Sequence, residues 1–277
     1  MIKMVDDQTM LPINERIANY GDGCFTTIAV VKGRAELLDQ HINRLQTACE
    51  RLQIDFSDWH SLRSAIEQKA EVLTNNVIKV LLSRGTGGRG YGTKQVSSAN
   101  CYVSISAFPS DYAKKQVNGI TLGLCNVCLA AQPMLAGIKH VNRLEQVLAK
   151  IELEKTQFDD LLVCDSSGNV IETTAANVFF GHQGQWVTPE LSECGIEGVM
   201  RNHIIKIMNK NNVVVHEKPI PFSQLMHFDS AFVCNSLMKL IPISTIQLSA
   251  DNRLAFSSSH IFIDWFKDNQ NEVSINA

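Results

Sequence analysis

The chain holds 277 residues, 45% hydrophobic and 19% charged, with 25 Lys and Arg against 28 Asp and Glu for a formal net charge of -3. That length suits one large domain or a pair of about 100–150 residues each, with enough apolar material to close a core without disulfide or metal staples. Sparse Gly and Pro exclude general disorder, the lack of a basic run argues against a nucleic-acid partner, and no apolar stretch nears the roughly 20 residues that span a bilayer.

Asp6 and Asp7 interrupt the N-terminus before an apolar targeting segment could form, so no signal peptide is read there and a cytoplasmic location is expected. In that reducing setting the eight cysteines are expected to be small buried apolar residues. Cys125 and Cys128 form a C-x-x-C inside a strand-like run, Ile120 to Leu129, where their odd separation points them to opposite faces. No second pair follows, so no metal site is expected.

In chain order, Thr26 to Val31 is β-rich and turns at Lys32-Gly33. Asp39 stands as an N-cap before a helix over Gln40–Gln53, with Ile42, Leu45, Cys49 and Leu52 on its apolar face. A second helix is predicted from Trp59 to Leu73, then strands at Val77–Ser83 and Tyr102–Ala107. Turn formers at Pro109-Ser110-Asp111 mark the expected boundary between domains 1–110 and 111–277. Beyond it come the strand Ile120–Leu129, a helix from Val141 to Lys155, and strands at Asp160–Cys164, Asn169–Thr173, Asn177–Gly181 and Trp186–Thr188. A helix over Met200–Asn211 and strands at Val213–His216, Ser230–Cys234 and Ile241–Ile246 close the series. Strands and helices come in groups without strict alternation, so the class is α+β with two sub-domains.

Several segments could carry chemistry. The glycine loop Gly85-x-Gly87-Gly88-x-Gly90 follows a strand, but Tyr91-Gly92-Thr93 does not open the helix that a dinucleotide site requires. It reads as a flexible connection, or as a loop in which Arg84 and Arg89 meet an anionic substrate. On the first helix His41 and Arg44 share a face, and Arg44 is either a surface residue or a phosphate clamp. Lys139 enters an apolar segment just before a helix, where desolvation leaves an amine nucleophilic, although most lysines are simply solvated. Glu172 lies on a strand, and Gly195 to Arg201 enters a helix whose first amides can hold a phosphate. A lysine, an isolated carboxylate and phosphate-holding elements are the parts that a pyridoxal phosphate site requires.

The segments Tyr20-Gly21-Asp22-Gly23-Cys24-Phe25-Thr26-Thr27, His41 to Leu45, Ser83 to Tyr91, Ala136 to Gln146, Glu172 to Asn177 with Phe179, Gly198 to Arg201 and Cys234 to Met238 together resemble the fold-type IV pyridoxal-phosphate enzymes. The likeness covers almost the whole chain in the family's order. It is similar within that family to the lyases that convert aminodeoxychorismate to 4-aminobenzoate and pyruvate in folate biosynthesis. The branched-chain and D-amino-acid aminotransferases are the rivals. They commonly carry Glu after the residue aligned with Phe25, where this chain has Thr26. The resemblance implies a two-domain homodimer with the active site between the domains and pyridoxal 5'-phosphate as cofactor. It assigns Lys139 as the Schiff-base lysine, Glu172 as the partner of the pyridine nitrogen, and Arg44, Val199, Met200, Asn235 and Ser236 to the phosphate. It implies Thr26 or Thr27 as a catalytic hydroxyl, and Arg84, Arg89 and Tyr91 as substrate contacts.

Overall fold

The computed structural model describes residues 2–256 and 261–275. Backbone packing divides the chain into two units, Met1–Pro109 with Ile138–Asn142, and Ser110–Gly137 with Arg143–Ala277.

The first unit contains β1 (Ile2–Met4), α1 (Arg16–Tyr20), β2 (Gly23–Val31), β3 (Arg34–Ala35), α2 (Leu38–Leu52), α3 (Trp59–Glu71), β4 (Asn75–Ser83) and β5 (Asn100–Ala107). Its strands form one sheet in the order β1-β5-β4-β2-β3, antiparallel except where β1 runs beside β5. Alternation along β2 and β4 sends Cys24, Ile28, Val30, Ile78, Val80 and Leu82 into a core with Ile42 and Leu45 of α2 and Leu62 and Ile66 of α3. The start of α2 differs from the expected Asp39 cap. Leu37 is the N-cap, in left-handed backbone at φ 52°, and Asp39 lies in the first turn, where its charge favours the helix dipole.

The second unit contains α4 (Tyr112–Asn118), β6 (Ile120–Leu124), α5 (Leu144–Leu153), β7 (Asp160–Cys164), β8 (Val170–Thr173), β9 (Asn177–His182), β10 (Gln185–Pro189), α6 (Val199–Lys210), β11 (Val215–Lys218), a 3-10 turn at Phe222–His227, β12 (Ser230–Asn235), β13 (Lys239–Ser249), β14 (Asn252–Ala255) and α7 (Ile261–Ile275). The strand order β9-β12-β13-β6-β7-β8 returns to β9, because β8 also pairs with β9, so these strands close a ring. Closure leaves none of them with an open edge. Leu122, Leu162, Val178, Phe180, Val233 and Ile243 are among the residues of its core. Among the described residues no helix is long and apolar enough to cross a membrane.

The strand predicted to run to Leu129 ends at Leu124. Cys125 N–H donates to Leu162 O and Leu129 N–H to Cys164 O, so a four-residue advance on one segment meets a two-residue advance on the other. The surplus residues bulge out, and Cys128 is exposed rather than buried as expected. All eight cysteines are free thiols. Burial pushes Cys101 up to about 12 and Cys125 and Cys164 up to about 11, so these thiols are unreactive at neutral pH. The short β1 and α1 show no period that a sequence reading could detect.

Candidate active site

The chain leaves the second unit after Gly137, contributes Ile138–Asn142 to the first, and returns at Arg143. Within the first unit this excursion lies along the start of β2. Phe25 N–H donates to Lys139 O and Val141 N–H to Gly23 O, both at 3.0 Å, and Cys24 and His140 form an antiparallel bridge. That pairing explains why α5 opens at Leu144 and not at Val141. Residues with helical character at its N-terminal side are held extended by β2. Asn142 Nδ2 donates to Gly21 O, and Gly21 takes φ 61° at the end of α1, where a Cβ would lie 2.2 Å from the Asn142 side chain.

Side-chain alternation then separates the two threonines of β2. Lys139 pairs with Phe25, and its Nζ sits 4.6 Å from the centre of the Phe25 ring. Thr27, two residues on, shares that face. Thr26 faces the other way into the core, and is fully buried. Its Oγ1 lies 2.6 Å from His41 Nδ1 and accepts from Arg44 Nη2. Burial, and then the Arg44 charge, hold His41 well below the ordinary imidazole range, so the ring is neutral and shares a hydrogen bond through Nδ1 with the Thr26 hydroxyl. The hydroxyl of Thr26 is therefore committed to orienting Arg44, which corrects its expected catalytic role. Thr27 keeps that role open.

In the second unit Glu172 on β8 is 4% exposed. Its Oε2 accepts from Ile196 N–H at 3.0 Å and its Oε1 from Gln146 Nε2 at 3.3 Å. Strand register sets Glu172 beside Asn177 of β9, and Asn177 beside Cys234 of β12. Asn177 Nδ2 donates to Ile196 O at 2.8 Å. Its Oδ1 lies 2.1 Å from where a Cβ on Gly198 would stand, so a side chain at the N-cap of α6 would displace Asn177. Val199 and Met200 follow in the first turn, where helix geometry leaves amides without an intrahelical acceptor. Asn235, just past Cys234, shapes the next turn. Its Oδ1 accepts from Leu237 and Met238 N–H at 2.9 Å each, and its Nδ2 donates to Ala175 O at 3.1 Å. Ser236 lies in that turn. The second unit thus gathers Glu172, the α6 start and the Asn235-Ser236 turn around one strand row.

An amino-transferase class IV profile matches residues 23–246. The chain belongs to the class IV amino-transferase family. It is 36% identical to an aminodeoxychorismate lyase of Vibrio harveyi over 249 residues, 90% of this chain and 92% of that protein. A crystal structure of 4-amino-4-deoxychorismate lyase from Pseudomonas aeruginosa superposes with a TM-score of 0.88 at 30% identity, covering 96% of this chain and 97% of that one. The branched-chain amino acid aminotransferase of Escherichia coli shares the fold, with a TM-score of 0.86 at 17% identity over 98% of this chain and 91% of that one.

Class IV enzymes depend on pyridoxal phosphate, and the donors present fit that group. The first unit holds an amine, Lys139, and a guanidinium, Arg44, and the second a buried carboxylate, Glu172, and the start of α6, which are the donor types that pyridoxal phosphate takes. No cluster of His, Cys, Asp or Glu that could hold a metal occurs among the described residues.

The glycine loop departs from its expected substrate role at Arg84. That guanidinium donates through Nε to Asp22 Oδ2, and through Nη1 and Nη2 to Gln53 O and Leu52 O, so it caps α2 and has no nitrogen left over. Sequence reasoning missed Arg16. Its Nε donates to the same Asp22 oxygen at 2.7 Å, and its Nη atoms reach the carbonyls of Gly90, Tyr91 and Gly92. Arg89 and Tyr91 are exposed on the loop that Arg16 fastens. No neighbouring-residue pattern marks Arg16, because the loop carbonyls it binds, at Gly90, Tyr91 and Gly92, lie far away in sequence.

This clamp predicts a pH-dependent stability. Burial alone would raise the Asp22 carboxyl, but the Arg84 and Arg16 guanidiniums outweigh it and hold it below the usual carboxylate range. Its contribution is complete at neutral pH and is lost as pH falls through its folded-state value. Asp22→Asn should cost about 2 kcal/mol at pH 7, with the two proteins converging in acid. Urea unfolding across pH checks this, and a pH-independent difference would contradict it.

Proposed function

We propose that this protein is a pyridoxal-phosphate-dependent lyase that cleaves 4-amino-4-deoxychorismate to 4-aminobenzoate and pyruvate, a step of folate biosynthesis. The observation that carries this reading is the 36% identity to the Vibrio harveyi lyase along 90% of the chain. Bound pyridoxal phosphate supplies an electron sink for negative charge developing on the amine-bearing carbon of the substrate. Lys139 Nζ would hold the cofactor and, as a neutral amine, would take the proton from that carbon. The Glu172 carboxylate would accept a hydrogen bond from the ring nitrogen. Arg44, the amides of Val199 and Met200, and Asn235 with Ser236 hold the phosphate. Thr27 Oγ1, on the Lys139 face of β2, would relay the proton taken up by the Lys139 amine to the departing enolpyruvyl oxygen, and Arg89 and Tyr91 would meet the substrate carboxylates.

The deciding experiment gives the purified holoenzyme aminodeoxychorismate and measures 4-aminobenzoate and pyruvate. Equal release of both is expected. Amino transfer to 2-oxoglutarate without pyruvate would replace the lyase reading with an aminotransferase. Thr27→Val should lower kcat by on the order of 10²-fold with cofactor saturating. Thr26→Val should instead weaken cofactor binding, because it loosens Arg44, and recover much of its rate at high cofactor. The same result from both variants would contradict the facing argument.

A cytoplasmic homodimer completes the reading. Free thiols throughout suit a reducing compartment. Leu144, Val147, Leu148 and Ile151 repeat at helical spacing along α5 and are 76%, 50%, 54% and 44% exposed, an apolar stripe suited to a second copy of this chain. Val147→Asp with Leu148→Asp should turn a dimer into a monomer in sedimentation equilibrium. An unchanged dimer mass would place the interface elsewhere.

A further inference from the structure

The surroundings of Glu172 single out a residue to which the reaction has so far assigned nothing. Arg143, the N-cap of α5, and Gln146, three positions later, lie on one face of that helix. Gln146 Nε2 donates to Glu172 Oε1 at 3.3 Å, opposite the 3.0 Å bond from Ile196 N–H to Oε2. Arg143 is pulled down by burial and pushed back by the charge of Glu172 and then of Glu145, so the guanidinium and the Glu172 carboxylate sense each other. Gln146 Oε1 is buried and accepts no hydrogen bond. A methionine or leucine would fill the same space without burying an unsatisfied acceptor, which is a penalty that packing alone would select against. The amide is therefore explained by its donor end.

We propose that Gln146 is a positioning residue that keeps the Glu172 carboxylate ionised and aimed at the cofactor's ring nitrogen. The inference rests on the pyridoxal phosphate reading above. An amide N–H beside a carboxyl group stabilises its charged, accepting form and offers nothing comparable to its neutral form. Two donors from different elements, Ile196 N–H and Gln146 Nε2, fix the carboxylate's rotation. Gln146 acts through Glu172 and does not itself touch the substrate.

A carboxyl group at position 146 can imitate the amide only while protonated. As it ionises it repels Glu172, and two neighbouring carboxyls share one proton up to raised pH. Arg143, from α5, and Cys194, from the segment before α6, also sense the Glu172 charge. Cys194 is pushed up to about 12 by burial, so neither changes charge near neutrality.

The test titrates apo-protein with pyridoxal phosphate, followed by visible absorbance, for wild type, Gln146→Met and Gln146→Glu between about pH 6 and 8. Each variant's Kd is expressed relative to wild type at the same pH, which cancels the cofactor's own ionisation. Gln146→Met should bind about tenfold more weakly at every pH. Gln146→Glu should bind within about threefold of wild type near pH 6 and at least about tenfold more weakly near pH 8. A Gln146→Glu ratio that stays constant across the range overturns the inference, as does wild-type binding by Gln146→Met. Should Gln146→Met fail to fold, the pH trend of Gln146→Glu decides alone. If wild type itself binds no pyridoxal phosphate, the proposed function falls and this inference with it. Wild-type binding with indifferent variants removes only the role of Gln146.

Discussion

Lys139→Ala should lower turnover by on the order of 10⁴-fold or more, because the proposed mechanism asks one amine both to carry the cofactor and to move the substrate proton. The fold should survive. Backbone hydrogen bonds through Lys139 O and Val141 N–H, which the variant keeps, hold this segment to β2. Borohydride treatment of the wild-type holoenzyme should fix the cofactor to the peptide containing Lys139, and the variant should yield no such peptide while keeping its circular dichroism. The nearest rival is Lys79, whose Nζ stands 5.1 Å from the centre of the same Phe25 ring. Label recovered on Lys79 in the wild type would move the chemistry to a different amine on the same sheet face.

Glu172→Gln should cost on the order of 10²–10³-fold in kcat while leaving the cofactor attached to Lys139. Two things change at once. The neutral amide no longer holds a proton on a ring nitrogen, and its NH₂ group must face one of two donors, Ile196 N–H or Gln146 Nε2, that the carboxylate satisfied. Loss of attachment along with turnover would mean that Glu172 serves to build the site and not to tune it. Loss of turnover with attachment intact supports the electronic role. The Lys139 and Glu172 variants thus fail in different ways, and peptide mapping beside a rate assay separates them.

Much of the architecture was legible because its signals are local. Apolar residues at helical spacing announced α2, α3 and α6, and β-rich runs between turn formers announced β4, β5, β7 and β9. Residue type, neighbourhood and an order along the chain that resembles the family singled out Lys139 and Glu172, whose roles belong to the proposed function. The limits are equally specific. Thr26 and Thr27 are identical neighbours, and only the packing of α2 on one face of the sheet decides that Thr26 turns inward to His41 and Arg44. Arg84 and Arg89 look alike in sequence, yet Arg84 is consumed by Asp22 and the end of α2 while Arg89 stays exposed.

Where an expectation about an element's limits failed, a distant partner was responsible. The strand expected through Leu129 stops early because its neighbour, β7, advances at a different rate. The helix expected from Val141 waits until Leu144 because β2 claims the residues before it. Composition and periodicity determined the class of the chain, most of its elements and the residue types available for catalysis, since these depend on a few neighbours along the backbone. Strand register, the face each side chain takes, and the partners of Arg16, Asp22 and Gln146 were decided by tertiary structure. A hydrogen bond is a contact in space, and the residues that make these ones lie as many as 76 positions apart.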